Sequence, residues 1–209
     1  METLADSLID GFILSLSKGT MQSQDFHHID EVMLQGMPVV LFDRIADQIR
    51  CDKVVVDDTQ GANQAVKHLI VKGRKNILLL TTQDYITVGR LRTQGYIKAI
   101  LDSGLVLDNE LIIKVVDTHN SNAALPALEA QIEKTISKFP QIDAIFAVNE
   151  IYAAAALRVL RKAHIHVPDE TAVVCFTDGL ISKFSTPTLT TVSQHSEEIG
   201  KKAAEILIN

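Results

Sequence analysis

Along most of the chain, short runs of apolar, often β-branched residues alternate with longer stretches whose apolar positions recur every three or four residues. The short runs predict strands at Phe12–Leu16, Val39–Phe42, Lys53–Val56, Asn76–Leu80, Leu111–Val116, Ala144–Val148, Ala172–Phe176 and Thr188–Val192. Most are nearly continuous rather than alternating, as for strands covered on both faces. The periodic stretches predict helices near 25–35, 60–72, 89–103, 121–138, 150–163 and 195–208. In the second of these, Ala62, Ala65, Val66, Leu69 and Ile70 make one apolar stripe, and Gly73 is placed to stop the helix. Strands and helices alternating along most of the chain build a doubly wound α/β fold with parallel strands. Glu2–Ile9 reads as the end of a helix feeding the first strand, so the chain is expected to begin inside the fold.

Composition narrows the class. With 209 residues, 46% of them hydrophobic and 22% charged, the chain can bury a sizeable core as one domain or two small ones. Disorder, collagen and a disulfide-stapled scaffold are excluded. The formal charge of −6 is unevenly spread: residues 1–60 hold four basic and eleven acidic side chains, a net −7. Neither part has the dense basic face that phosphate binding needs, so these residues make a poor nucleic-acid binder. Cys51 and Cys175 sit beside or within apolar runs and read as buried thiols in a reducing compartment. No apolar run approaches the roughly 18–20 residues that span a bilayer, and Met1–Asp6 lacks the features of a signal peptide.

The usual enzymatic motifs are missing: no Gly-x-Ser-x-Gly elbow, no phosphate loop and no Gly-x-Gly-x-x-Gly after a strand. The pairs His27–His28 and His164/His166 are poorly spaced for a shared metal. Asp57–Asp58 could be paired carboxylates for acid–base work, but acids ending a strand and feeding a helix dipole is the better reading. No catalytic residue, metal or cofactor is expected. What remains is a set of polar residues just past predicted strands: Ser15, Asp43, Asp57, Asn149, Thr177 and Asp178. Open α/β sheets bind ligands at those strand ends. Several such residues on one edge could hydrogen-bond a polyol.

The residues also carry a family pattern. Its segments are Asp10-Gly11-Phe12-Ile13-Leu14, Met37-Pro38-Val39-Val40-Leu41-Phe42-Asp43-Arg44 and Val55-Val56-Asp57-Asp58. Then come Gly61 with His68-Leu69-Ile70 and Gly73-Arg74, Arg92-x-x-Gly95-Tyr96, and Ala147-Val148-Asn149-Glu150-x-x-Ala153. Val167-Pro168-Asp169-Glu170 and Pro187-Thr188-Leu189-Thr190-Thr191-Val192-x-Gln194 complete the series. In this order and spacing the chain resembles the effector-binding core of the LacI/GalR family of bacterial transcriptional regulators, a periplasmic-binding-protein-like fold of type I.

The resemblance implies two Rossmann-like subdomains with parallel sheets around a ligand cleft, joined by three crossovers. The N-subdomain would be residues 1–57 plus 195–209 and the C-subdomain 58–194. The helix-turn-helix headpiece, hinge helix, first βα unit and final strand region would lie outside this chain. Operator DNA would then be read only by the headpiece of the intact, cytoplasmic protein, expected to be a homodimer responding to a small sugar-like effector. Arg92 falls where the family places a ligand-clamping arginine, and its planar guanidinium suits vicinal hydroxyls or a carboxylate. The alternative is a surface ion pair. As a cleft residue, Arg92 is expected to be replaceable by alanine with little change in unliganded stability. Ser15, Gln60, Asn149 and Gln194 align with polar cleft positions. Two positions depart from the pattern: Thr177, followed by Asp178, stands where an acid is usual, and Glu150 where an aspartate is usual. A sugar-binding component of a transport system and a doubly wound enzyme are the competing readings.

Overall fold

The computed structural model describes residues 9–115 and 121–209, with 121–123 described by their backbone alone. Its strands are β1 (Phe12–Leu14), β2 (Val39–Phe42), β3 (Asp52–Val54), β4 (Ile77–Thr81), β5 (Ile112–Lys114), β6 (Ala144–Ala147), β7 (Ala172–Phe176) and β8 (Thr190–Val192). The helices are α1 (Lys18–Ser23), α2 (His27–Leu34), α3 (Asp58–Val71), α4 (Thr87–Asp102), α5 (Ser121–Lys138), α6 (Glu150–Lys162), α7 (Leu180–Phe184) and α8 (Ser196–Ile208). All predicted elements among the described residues are present, most shifted by a residue or two at their ends. The helix end expected at Glu2–Ile9 falls almost wholly outside the described residues, as does Val116 of the fifth predicted strand.

The described residues form two compact units. The first takes the chain up to Val56, Tyr85–Val88 and His195–Asn209, and the second takes Asp57–Asp84 and Gly89–Gln194. Each is organised around its own parallel sheet, of three strands and five strands respectively. The two-subdomain, parallel α/β reading therefore holds.

In the first unit the order is β1-β2-β3, with Phe12 opposite Val39 and Leu41 opposite Lys53. The predicted first strand extends to Leu16, but the Leu16 N–H leaves the ladder for the Arg44 carbonyl at 3.0 Å. Phe12, Leu16, Met21, Ile29, Val32, Val39, Leu41 and Ile49 form the core. Helix α1 was not anticipated: its six residues bury only Met21, too little periodicity to register. It is nucleated by Ser17, whose hydroxyl accepts the Thr20 N–H at 3.0 Å. Helix α8 packs on this sheet through Ile199 and Ala203.

In the second unit the order is β5-β4-β6-β7-β8, all parallel. Every residue of β4 and of β6 is buried, which explains their unbroken apolar runs. The start of β4 is pinned to β6 by Asp143, whose carboxylate accepts the N–H groups of Lys75 and Asn76 at 2.9–3.1 Å. The chain passes from β4 outward to β5 and returns to β6 on the other side. The strand order thus reverses between β5 and β6 around β4, and the carboxyl ends there are where such sheets hold ligands.

Helices α3 and α4 cross closely on this unit, and Gly95 sets the distance. A Cβ at Gly95 would lie 2.3 Å from the Thr59 carbonyl oxygen and 2.7 Å from the Ala62 Cβ. The crossing places the first turn of α3 beside the second turn of α4, so Asp58 meets Arg92. Gly95→Ala forces the helices apart and is expected to destabilise by about 1–3 kcal/mol. A reduced urea midpoint with an unchanged slope would record it.

Candidate ligand-binding site

Arg92 lies in the second turn of α4, a little under a turn past Gly89, and is 4% exposed. Its Nε donates to Asp58 Oδ1 at 2.7 Å, and Asp58 is itself 3% exposed. Its Nη1 donates at 2.7 Å to the carbonyl of Val148, the residue following β6. The Phe176 ring at the end of β7 lies against the guanidinium, with 3.8 Å from its central carbon to the ring centroid. The remaining nitrogen, Nη2, is buried and makes no hydrogen bond to any described residue. One arginine thus ties α3, α4 and the ends of β6 and β7 together and retains one unspent donor group.

The ion pair is buried and not on the surface, which revises the expectation for Arg92→Ala. Removing one partner of a buried pair leaves the other charge uncompensated, at a cost of about 3–5 kcal/mol. The alanine variant therefore alters unliganded stability as well as any ligand contact.

Asn149 caps α6, its Oδ1 accepting the Tyr152 N–H at 2.9 Å; its side-chain nitrogen bonds no other described residue. It is half-buried and one residue beyond the carbonyl that Arg92 holds. Asp57 caps α3 by accepting the Gln60 N–H at 2.8 Å, so the structural reading of Asp57 stands. Gln60 itself is exposed on the first turn of α3. Asp43 occupies the left-handed region at φ 56°, past the end of β2 in the first unit. Ser15 also belongs to the first unit, past β1, with a buried hydroxyl that bonds no described residue.

Thr177, Asp178 and Gln194 come together where β7 and β8 end. Thr177 has φ 83°, an unfavourable backbone for a β-branched residue, of a kind that costs on the order of 1–3 kcal/mol. It is held there by its N–H on the Val192 carbonyl at 2.9 Å and by its hydroxyl, which donates to Gln194 Oε1 at 2.6 Å. The Asp178 carboxylate is held below the usual range, chiefly by the Ser193 hydroxyl and further by the N–H groups of Asp178 and Gln194.

Glu150 is where the sequence reading was least complete. Its buried carboxylate accepts the N–H groups of Ile181 and Ser182, at 2.9 and 3.4 Å, in the first turn of α7. A Cβ at Gly179 would fall 2.0 Å from Glu150 Oε1, so the seat exists only with glycine there. The extra methylene relative to aspartate is the reach that this bond uses. Asp58 and Phe176 were also missed as site residues. The acid at the head of α3 and the aromatic before Thr177 were visible, but each has an ordinary explanation on its own.

A family model, the periplasmic binding protein-like domain, matches residues 66–209. The chain belongs to that family. Among its relatives, the HTH-type transcriptional regulator CelR of Thermobifida fusca is 31% identical over 156 residues, 75% of this chain and 44% of the relative. The solved transcriptional regulator CelR–cellobiose complex aligns with 99% of this chain and 61% of its own, at 28% identity and TM-score 0.84. A regulatory protein of LacI family from Chloroflexus aggregans aligns with 99% of this chain and 70% of its own, at 25% identity and TM-score 0.84. The resemblance read from the motifs is borne out. The chain spans about half the length of the curated relatives it matches.

Because its pKa is lowered by folding, Asp178 contributes stability above its unfolded value of about 3.9, and that stability is lost as pH falls through the lower folded value. Asp178→Asn removes the contribution at neutral pH. The variant is therefore expected to melt lower at pH ~7 and to lose less Tm than the parent on acidification to pH ~3. Equal pH profiles would show that the carboxylate has no net role.

Proposed function

We propose that this chain is the effector-sensing core of a LacI-family transcriptional regulator. It takes a small polar ligand, a sugar or sugar derivative, at the carboxyl edge of the five-stranded sheet. The observation that carries this reading is Arg92: a buried guanidinium fixed on two sides, with Nη2 unspent, at the strand-order reversal. Asn149, Thr177, Asp178, Gln194 and Gln60 stand on the same carboxyl side and supply the further polar groups. The relatives support the sensing role over transport, being regulators, and one of them is solved with cellobiose. No cofactor and no catalytic step is assigned.

Ligand that prefers one arrangement of the protein shifts its equilibrium by the difference in affinity for the two arrangements. The intact protein converts that shift into a change of operator affinity, acting in the cytoplasm through a DNA-reading part outside this chain. No helix among the described residues is long and apolar enough to cross a membrane.

The partner in this reading is a second copy. Phe184 and Leu180 of α7 are 81% and 71% exposed, and Ile181 and Ile151 add to the apolar face. Faces of this kind mark association surfaces. Phe184→Glu is expected to turn a dimer into a monomer in analytical ultracentrifugation without altering the fold; a variant that remains dimeric moves the interface elsewhere.

A ligand at 100 times its Kd should stabilise the protein by about 2.7 kcal/mol, seen as a rise in Tm when neutral sugars, sugar acids, sugar phosphates and purines are screened. Arg92→Lys keeps a charge beside Asp58 but has no equivalent of Nη2, so it tests the donor without stranding the acid. It is expected to fold and to lose most of the ligand-induced shift. A full shift in the lysine variant would remove Arg92 from the site.

A further inference from the structure

The charges around the unspent donor are strongly one-sided. Among the described residues, Arg92 is the one buried cation, whereas Asp58 and Glu150 are both buried acids. Asp58 already offsets the guanidinium at 2.7 Å. Glu150 draws its partners from the α7 N–H groups and, among the described residues, from no cation. Toward solvent on the same edge lie Asp57, capping α3, and Asp178, on which Lys183 acts as the nearby cation. The exposed Arg90, one turn-half away on α4, points to the opposite side of the helix from the buried Arg92.

An acceptor that reaches Nη2 therefore meets a guanidinium whose charge is spent. A hydroxyl oxygen leaves the Asp58–Arg92 pair neutral and takes the donor at no electrostatic cost. A carboxylate or phosphate gives that pair a net negative charge in a place shielded from water and adds to Glu150 and Asp178. Buried charge without a counter-charge is strongly unfavourable.

We infer that this edge takes an uncharged polyhydroxy ligand and rejects the corresponding acids and phosphate esters. The inference rests on the proposed function and deepens it from sugar-like compounds to the neutral members of that class. Thr177 agrees with it. Its hydroxyl is engaged with the Gln194 amide, a neutral pair that provides no cation for an anionic group.

The test compares matched probes: cellobiose with cellobionate, and D-glucose with D-gluconate and D-glucose 6-phosphate. Calorimetric titration of the protein is expected to show a neutral sugar binding, with its charged counterpart weaker by roughly tenfold or more. Added salt should leave the neutral probe unchanged and improve the charged one only slightly, because salt screens the solvent-facing Asp57 and Asp178 but not the buried acids. A charged probe that binds as tightly as its neutral counterpart overturns the inference and leaves the sensing function standing. If no probe of either kind binds, the inference falls, and the wider thermal screen decides the sensing function separately. Asp58→Asn adds a second arm: where it folds, the gap between neutral and charged probes should narrow or reverse. A folded variant with the parent's discrimination overturns the assignment to this pair, and where it does not fold the comparison of neutral and charged probes on the parent decides.

Discussion

A charge on one side chain organises the second unit. Arg92 could be buried only if its guanidinium found acceptors, and the fold provides them from two separate elements, Asp58 at the head of α3 and the Val148 carbonyl after β6. Each acceptor fixes a distance. Helices α3 and α4 must approach closely enough for the ion pair, which requires that Gly95 have no side chain. Strand β6 must stop where the carbonyl just past it faces α4, and Phe176 must end β7 with its ring against the guanidinium. Such a pair contributes little net stability compared with apolar packing of the same volume, but breaking it is expensive. Its effect is to hold four chain segments in one arrangement and leave one donor unspent.

The fold was largely legible because it rests on periodicity. The fully buried strands β4 and β6 announce themselves as unbroken apolar runs, and α3 as a single stripe ending at Gly73. Helices α1 and α7 escaped notice for the same reason in reverse. With six and five residues they bury too few side chains to impose a period, and each is fixed by polar contacts instead. The Ser17 hydroxyl starts the first, and the Glu150 carboxylate holds the first turn of the second.

The candidate site was legible by position and opaque by partner. Strand-end logic singled out Asn149, Thr177 and Asp178 as candidates, and the family pattern pointed to Arg92. What a linear reading does not contain is pairing across 34 residues, as between Arg92 and Asp58. Burial inverted the meaning of that arginine: a residue taken as a free clamp is also a structural tie. The substitution at 177 likewise has more to it than the loss of a carboxylate. Threonine at φ 83° is an unfavourable choice that the loop sustains with two hydrogen bonds, so the strain sits where a specificity contact would be made.

The excursion of Tyr85–Val88 into the first unit, between two stretches of the second, has an evolutionary side. Neither unit is a contiguous stretch of gene. Recombination at any single boundary would therefore carry away pieces of both, and the two must be inherited as one object. What the carboxyl edge of such a chain presents is more readily altered by point replacement, as at Thr177, than by exchange of a contiguous module.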